Sequence, residues 1–304
     1  MKSKKFYSHG KLLLSGEYVV LDGALSLAIP TKYGQSLIVE QTEKLILNWK
    51  SFDENKTVWF QNEFEIDPDN DLRQVHEDSI SKRLIQILNA TKGLNSEFLN
   101  EKYGFKIETR LEFPKNWGLG TSSTLINNIA QWTHVDAFKL LEKTFGGSGY
   151  DIACAQNNTP ITYQIEDKKP LVKTVDFSPS FKDQLYFAHL NKKQNSRDGI
   201  KHYNKNKENA QYAIEAINKI TLEMINSKTL QHFQSSMVQH ETIISKITKQ
   251  IPVKDLLFKD FDGAIKSLGA WGGDFIMVAS KNNPSQYFKD RGYETVIPYS
   301  IMAL

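Results

Sequence analysis

The chain has 304 residues, 40% of them hydrophobic and 24% charged, a balance typical of a globular protein with one large domain or two packed ones. Its 38 basic and 35 acidic residues are interspersed and leave a net charge of +3, so no overall field favours nucleic acid or an anionic membrane as a partner. A lone cysteine excludes an internal disulfide, and no stretch approaches the roughly 20 apolar residues of a membrane span, so we expect a cytoplasmic protein.

The first third of the chain is predicted to be mainly extended. Short apolar segments predict strands at residues 11–14, 18–21, 36–40, 44–49 and 58–60. The clearest alternation of apolar and charged residues runs over residues 105–113 and ends at Pro114, which describes a strand with one buried face.

The first segment that could carry chemistry lies in this region. Residues 8–18 read Ser-His-Gly-Lys-Leu-Leu-Leu-Ser-Gly-Glu-Tyr, which places Lys11 at the head of an apolar strand and Glu17 near a turn. A lysine on a buried strand suggests a functional role. Lysines also commonly extend to solvent from strand ends, so both interpretations stay open.

A second segment, residues 114–124, reads Pro-Lys-Asn-Trp-Gly-Leu-Gly-Thr-Ser-Ser-Thr, and helical spacing begins at Thr121, with Thr121 or Ser122 suited to cap the helix. Two glycines let the backbone approach an anion, and a helix N-terminus offers unpaired amides and a positive dipole end. The hydroxyls suit phosphate oxygens or Mg²⁺. An ordinary turn with a capped helix fits equally well, and neither the Walker loop nor the dinucleotide fingerprint is present.

A third segment follows a predicted helix at residues 135–145. Residues 146–151, Gly-Gly-Ser-Gly-Tyr-Asp, form a small-residue loop that leads to a carboxylate. Asp151 could take a proton from an attacking hydroxyl, provided that a cation keeps it ionised. Capping of the next helix is the alternative role, and Cys154 is expected to lie in the core.

The second half is predicted to begin between residues 172 and 181. We expect a strand at residues 184–190, a polar loop at 191–197, helices at 210–225 and 230–247, and a strand at 275–279. A fourth segment precedes that last strand: residues 266–274 read Lys-Ser-Leu-Gly-Ala-Trp-Gly-Gly-Asp. Its glycines imply close backbone approach or positive φ angles, and a tight turn explains them equally well.

Taken in order, the four segments resemble the signature motifs of the GHMP kinase superfamily. Residues 9–23 resemble its first motif, residues 114–124 its phosphate loop, residues 147–151 its catalytic-Asp loop and residues 269–274 its third, Gly-rich motif. The mevalonate and phosphomevalonate kinase branch is the most similar. Residues 149–153 read Gly-Tyr-Asp-Ile-Ala, which is similar to the five-residue sequence that labels a small bacterial subgroup of this superfamily.

The resemblance implies an α+β fold of two domains. Residues 1–175 would form an ATP-binding domain like the second domain of ribosomal protein S5, and residues 176–304 a ferredoxin-like domain. The implied activity is transfer of a phosphoryl group from ATP, with Mg²⁺, to a small acid, mevalonate or phosphomevalonate, which suggests isoprenoid biosynthesis.

The resemblance also implies roles for individual residues. Asp151 is expected to be the base, Lys11 to orient it and to lower the pKa of the acceptor hydroxyl, and Ser122 to hold Mg²⁺. ATP is expected to bind at Gly118, Leu119, Gly120, Thr121, Ser122 and Ser123. The acceptor is expected to contact Glu17, Ser148, Gly149, Ser196, Arg197, Gly272 and Gly273.

Two departures put the substrate and the activity in doubt. Leu140 falls where mevalonate kinases have an acidic metal ligand, and Glu142 would face another side of its helix. Trp271 replaces a residue that is usually glycine. A catalytically silent protein that binds nucleotide or metabolite is therefore an alternative, and a nucleic-acid-binding module is a weaker one. The expected partners are ATP and the acceptor, with no nucleic acid or membrane, and a homodimer is possible.

Overall fold

The computed structural model describes residues 3–66, 72–74, 78–99, 103–192, 196–207, 210–269, 271 and 273–304. The fold is mixed α+β, as predicted, with a large sheet and a second, four-stranded antiparallel sheet. The chain divides into two compact units. Unit 1 comprises Met1–Gly10, Tyr33–Lys115 and Gly120–Gln156, and unit 2 comprises Lys11–Lys32, Asn116–Leu119 and Asn157–Leu304. The domain boundary after residue 175 stays a prediction.

Unit 1 builds its core between part of the large sheet and a layer of helices. Its strands belong to β1 (Lys4–Leu13), β2 (Ser26–Thr42), β3 (Ile46–Phe52), β4 (Val58–Ile66), β5 (Leu72–Gln74) and β6 (Gly104–Leu111). The strand order is β5-β4-β3-β6-β2, in which only β3 and β6 pair in parallel. Its helices are α1 (Ser79–Lys92), α2 (Thr121–Thr133), α3 (Ala137–Thr144) and α4 (Tyr150–Gln156). Alternate residues of β6, such as Ile107, are buried, which accounts for the period of two in the sequence.

Unit 2 contains the first part of β2, together with β7 (Ile161–Glu166) and β8 (Lys169–Thr174). Strand β7 lies between the other two and pairs with both. Its second sheet has the order β10-β11-β9-β12. These strands are β9 (Leu185–His189), β10 (Ala264–Ser267), β11 (Phe275–Ala279) and β12 (Val296–Pro298). Its helices are α5 (Ser196–Asn206), α6 (Ala210–Asn226), α7 (Leu230–Thr248), α8 (Val253–Leu257), α9 (Ser285–Lys289) and α10 (Tyr299–Met302). Every residue of β9 and β11 is buried, which explains why these strands are apolar without alternation. Within the described part of the chain, no helix is long and apolar enough to cross a membrane.

Two predictions of where strands and loops lie were wrong. The strand expected at residues 18–21 is a short 3-10 helix, Val19–Asp22, because Tyr18 and Gly23 on either side of it adopt positive φ angles of 64° and 90°. A run of apolar residues this short does not distinguish a strand from a helical turn. The polar loop expected to reach residue 197 ends earlier, since α5 begins at Ser196.

Candidate functional site

The Gly118–Ser123 loop has the backbone geometry that its glycines predict. Gly118 and Gly120 have φ angles of 67° and 90°, which a residue with a side chain rarely adopts. Gly120 is the N-cap of α2 in a left-handed conformation, so the cap predicted at Thr121 or Ser122 was wrong. The first N–H groups of an α-helix have no partner within the helix, and the helix dipole makes this end positive. The start of α2 therefore fits an anion.

The hydroxyl residues at the end of this loop, Thr121, Ser122 and Ser123, differ from one another in their exposure to solvent. Ser123 is buried and donates its hydroxyl to the carbonyl oxygen of Gly120 at 2.9 Å. Ser122 is exposed and Thr121 is half-buried. The accessible hydroxyls are thus those of Ser122 and Thr121, while the hydroxyl of Ser123 stabilises the first turn of α2.

Asp151 lies in the first turn of α4 and is half-buried. Its Oδ1 accepts the backbone N–H of Ile152 at 3.1 Å. The preceding loop contains Ser148, which is half-buried, and Gly149, whose φ is 88° and whose carbonyl accepts the N–H of Ala153. The loop therefore places a carboxylate in the first turn of a helix.

A buried polar network fixes α4 to α2 within unit 1. The amide of Asn127, on the inner face of α2, donates to the Ser8 hydroxyl at 2.9 Å and accepts from the side chain of Gln156 at 3.0 Å. Next to it, Asn128 accepts from Ser8 at 2.8 Å and donates to the carbonyl of Gln35 at 2.9 Å. This network fixes the position of α2, which starts at the glycine loop, relative to α4, which carries Asp151.

Sequence reasoning missed these asparagines, although a signal was present. Asn is a poor helix former and is costly to bury unless it is hydrogen-bonded. Two adjacent asparagines between the apolar residues Ile126 and Ile129 of a helix therefore indicate a hydrogen-bonded polar contact.

Replacing Asn127 by alanine is expected to destabilise the protein by about 1–3 kcal/mol, since it leaves buried polar partners unsatisfied. Gln131→Ala, on the exposed side of the same helix, is the matched control and should lie within about 0.5 kcal/mol of the wild type. Urea unfolding measures both. Equal stabilities for the two variants would show that the network does not stabilise unit 1.

Lys11 in unit 2 holds the first half of the loop. Its Nζ donates to the carbonyl of Gly118 at 2.7 Å, and its backbone N–H donates to the carbonyl of Leu119 at 3.1 Å. Leu119 is fully buried. The structure thus brings Lys11, Gly118 and Leu119 together. Asp151 and Ser122 belong to unit 1.

Two residues that were not among the predicted site residues, His189 and Asp274, also border this half of the loop. Nδ1 of His189 accepts the N–H of Asn191 at 3.2 Å, so the ring proton is on Nε2, which donates to the carbonyl of Asn116 at 3.1 Å. Asp274 lies against Gly118, where an added Cβ would be 2.5 Å from the Asp274 carboxyl carbon. A lone histidine at a strand end gave no signal, because its partner is far away in the sequence.

Glu17 lies in a buried cluster of charged and titratable groups in unit 2. Its side chain is 0% exposed, forms an ion pair with Lys266 and lies 3.1 Å from Nε2 of His240. Burial alone would raise the pKa of Glu17, but the Lys266 ammonium outweighs it and holds the pKa below its usual value. Burial, with a further contribution from Lys266, lowers the pKa of His240 to about 4, so its ring is neutral and the Glu17–Lys266 pair is the ion pair.

The neighbouring Glu241 behaves differently. Burial, opposed by Lys266 and reinforced by Glu17, raises its pKa to about 8. Its carboxyl group accepts the Ser267 hydroxyl at 3.3 Å. The cluster therefore combines an ionised pair with a carboxylic acid that stays protonated at neutral pH.

This raised pKa predicts how stability depends on pH. Between the ordinary pKa of a glutamate and pH 8, folded Glu241 holds a proton that the unfolded chain has lost, so its contribution to the free energy of unfolding falls as pH rises. Glu241→Gln removes this dependence. The melting temperature of the variant relative to the wild type should therefore rise from pH 5 to pH 8.5, at about 2–4 °C for each kcal/mol.

The exposed Glu215→Gln on α6 is the control, and its difference from the wild type should not change with pH. The same difference for Glu241→Gln at pH 5 and at pH 8.5 would show that Glu241 is ionised in the folded protein.

The other predicted site residues are less fully described. Gly273 is buried in the turn before β11, whereas Gly272 lies outside the described residues. Ser196 and Arg197 open α5, and their side chains lie outside the described part as well. Trp271 is buried, and its backbone N–H donates to the hydroxyl of Tyr18 at 3.1 Å.

The departures noted in the sequence are also visible. Leu140 is fully buried in the core of unit 1, and Glu142 is exposed, as expected from their positions on one helix. Cys154 is buried, in agreement with the prediction. Among the described residues, no group of three or more His, Cys, Asp or Glu side chains could hold a metal ion. The exposed hydroxyl of Ser122 is an oxygen donor, the kind of ligand that Mg²⁺ prefers.

No protein-family model matches the chain, and no curated protein matches it. Solved structures match it over nearly its whole length. A protein from Listeria innocua has a TM-score of 0.73 at 17% identity, over 98% of this chain and 97% of that one. The L. major mevalonate kinase in complex with R-mevalonate has a TM-score of 0.69 at 14% identity, over 96% and 91%. The Streptococcus pneumoniae phosphomevalonate kinase in complex with phosphomevalonate and AMPPNP has a TM-score of 0.68 at 15% identity, over 96% of each chain. At these identities the likeness establishes the fold, which this chain shares with the mevalonate and phosphomevalonate kinases.

Proposed function

We propose that this protein is an ATP-dependent kinase that transfers the γ-phosphoryl group of Mg·ATP to a small acidic metabolite. The observation that carries the proposal is the glycine loop, in which Gly118 and Gly120 adopt positive φ angles directly before α2 and Lys11 donates to the loop carbonyl. Backbone amides at a helix start are suited to phosphate. The fold, shared with kinases over almost the whole chain, supports the same assignment.

The proposed reaction assigns a role to each of a few groups. The acceptor oxygen attacks the γ-phosphorus, the bond from that phosphorus to the bridging oxygen breaks, and ADP leaves. Asp151 takes the proton of an acceptor hydroxyl, and Lys11 supplies positive charge that favours the deprotonated oxygen. The residues from Gly118 to Ser123 would hold the ATP phosphates, and Mg²⁺ at the Ser122 hydroxyl would supply charge that neutralises them. Asp151 and Lys11 are thus proposed mainly to position the acceptor and to stabilise charge in the transition state, which is what phosphoryl transfer requires.

Mevalonate or phosphomevalonate is the acceptor that we propose first. The support is the likeness of residues 16–23 and 147–151 to that branch, together with solved neighbours that contain these molecules. An acid would be held by Arg197, because guanidinium matches carboxylate and phosphate geometry. Ser196, Ser148, Gly149, Gly272 and Gly273 are proposed to complete the acceptor site, and Glu17 to support it from its buried position.

A catalytically silent nucleotide-binding protein is the second candidate. The observation that favours it is Leu140, an apolar and fully buried residue at the position where mevalonate kinases have an acidic metal ligand. Both candidates are expected to bind nucleotide, but only the kinase is expected to transfer phosphate to an acceptor.

A panel assay separates them. Purified protein is incubated with Mg·ATP and mevalonate, phosphomevalonate, homoserine or several sugars, and ADP is measured, while calorimetry measures AMPPNP binding. Release of ADP that depends on one acceptor supports the kinase. Binding without turnover on the whole panel supports the silent protein, and absence of nucleotide binding contradicts both.

A further inference from the structure

Tyr18 has a backbone conformation that is unusual for a residue with a side chain. Its φ and ψ angles are 64° and −51°, and the N–H of Val19 donates to the carbonyl of Glu17 at 2.8 Å across it. These features define a γ-turn of the rare, strained kind. Such strain persists only where the surroundings hold it in place, and it is concentrated at functional sites.

The side chain of Tyr18 is held by two other segments of unit 2. Its hydroxyl accepts the N–H of Trp271, in the Gly-rich segment before β11, at 3.1 Å. Its ring stacks on that of Tyr203 in α5, with centroids 5.8 Å apart and planes inclined by 20°. A Cβ on Gly199, also in α5, would lie 2.7 Å from the Tyr18 hydroxyl. Helix α5 thus needs a glycine where it crosses this phenol.

A second set of contacts attaches α5 to the end of the same turn. The hydroxyl of Tyr203 donates to one carboxylate oxygen of Asp22 at 2.5 Å, and Nζ of Lys207 donates to the other at 2.9 Å. Tyr203 is fully buried, although it lies on a helix with several exposed polar residues. The 3-10 helix Val19–Asp22 is therefore attached to α5 at its start, through its N-cap Tyr18, and at its end, through Asp22.

We propose that Tyr18 is a positioning residue for the acceptor, acting through α5 and the Trp271 segment rather than by touching the acceptor itself. These two segments carry the residues proposed to bind the acceptor, Ser196 and Arg197 at the start of α5 and Gly272 and Gly273 beside Trp271. The inference rests on the proposed function. It adds a residue through which the acceptor site is held in one arrangement before substrate arrives, which lowers the ordering cost of binding.

Tyr18→Phe is the most conservative test, because it keeps the ring and removes only the hydroxyl. The Trp271 N–H then loses its acceptor, and we expect the KM for the acceptor to rise about 10-fold, while affinity for AMPPNP changes less than about twofold. Tyr212→Phe, at a 75% exposed tyrosine of α6, is the matched control and should change neither quantity.

Hydrogen exchange of the free protein provides a readout that does not require turnover. In Tyr18→Phe, amide exchange should rise about 10-fold in α5 and around Trp271 and stay unchanged in unit 1. Unchanged exchange in both segments overturns the proposal, and so does faster exchange with an unchanged acceptor KM. If the wild type phosphorylates no acceptor, the proposed function fails, whereas the exchange data still decide whether Tyr18 positions the two segments.

Gly199→Ala tests the same contact from the other side. Alanine by itself favours a helix, so a loss of order in α5 would come from the Cβ that meets the Tyr18 hydroxyl. We expect this substitution to speed exchange of α5 about 10-fold in the wild type and to have a clearly smaller effect in Tyr18→Phe. Equal effects in the two backgrounds would show that Tyr18 does not determine the position of α5.

Discussion

Asp151→Asn is expected to reduce acceptor-dependent ADP formation by about 10²–10⁴-fold, the range typical of losing a general base. The amide has the shape of the carboxylate and retains an oxygen that can accept the N–H of Ile152, as Oδ1 of Asp151 does at 3.1 Å. It lacks the basicity to take a proton from an acceptor hydroxyl. Folding and AMPPNP affinity should therefore be preserved while kcat falls.

The matched control for this prediction is Glu142→Gln. Glu142 is an exposed acidic residue of α3 in the same unit, and its replacement by glutamine removes one negative charge, as Asp151→Asn does. Steady-state kinetics with saturating ATP should give near wild-type kcat for the control. An Asp151→Asn variant with kcat within a factor of three of the wild type would show that another group accepts the proton.

Lys11→Met is expected to lower kcat/KM for the acceptor by about 10²–10³-fold, the effect of removing one electrostatic donor from a reaction centre. Methionine retains the length and apolar stem of the lysine, so β1 should still form. Two properties are lost: the positive charge proposed to stabilise the acceptor oxygen, and the 2.7 Å hydrogen bond from Nζ to the carbonyl of Gly118. The second loss should also weaken AMPPNP binding, by about 5- to 10-fold.

The control here is Lys4→Met, an exposed lysine on the same strand. Comparing kcat/KM and AMPPNP dissociation constants for the two variants separates the specific effect from a general change in charge. Similar kinetics for Lys11→Met and Lys4→Met would assign Lys11 a structural role only.

The sequence predicted those parts of the site that depend on local chemistry. Two glycines around Leu119 predicted a loop whose backbone can approach an anion, and the structure gives both of them positive φ angles, which glycine adopts readily. The switch from alternating to helical spacing placed the start of α2 at Thr121. The strands β9 and β11, which lack alternating polar residues, also follow from their sequences, because a strand buried on both faces needs none.

The sequence could not predict contacts between residues that are distant in the chain. Glu17 reads as a turn residue near a site, whereas in the structure its partners are Lys266 and His240, more than 200 residues away. Asn127 depends in the same way on Ser8 and Gln156. The γ-turn at Tyr18 was missed for a related reason, since its strain is stabilised by residues of α5 and of the Trp271 segment rather than by its neighbours in sequence.

The central claim is that this chain moves a phosphoryl group from ATP to a small acid, and ³¹P NMR of the reaction mixture tests it most directly. Wild-type protein with Mg·ATP and mevalonate or phosphomevalonate should convert the γ-phosphate resonance of ATP into a new phosphate ester or diphosphate resonance, in step with ADP. Under the same conditions Asp151→Asn should show neither. Release of inorganic phosphate alone, or an unchanged ATP spectrum with every acceptor tried while AMPPNP still binds, would contradict the kinase and favour the silent nucleotide-binding protein.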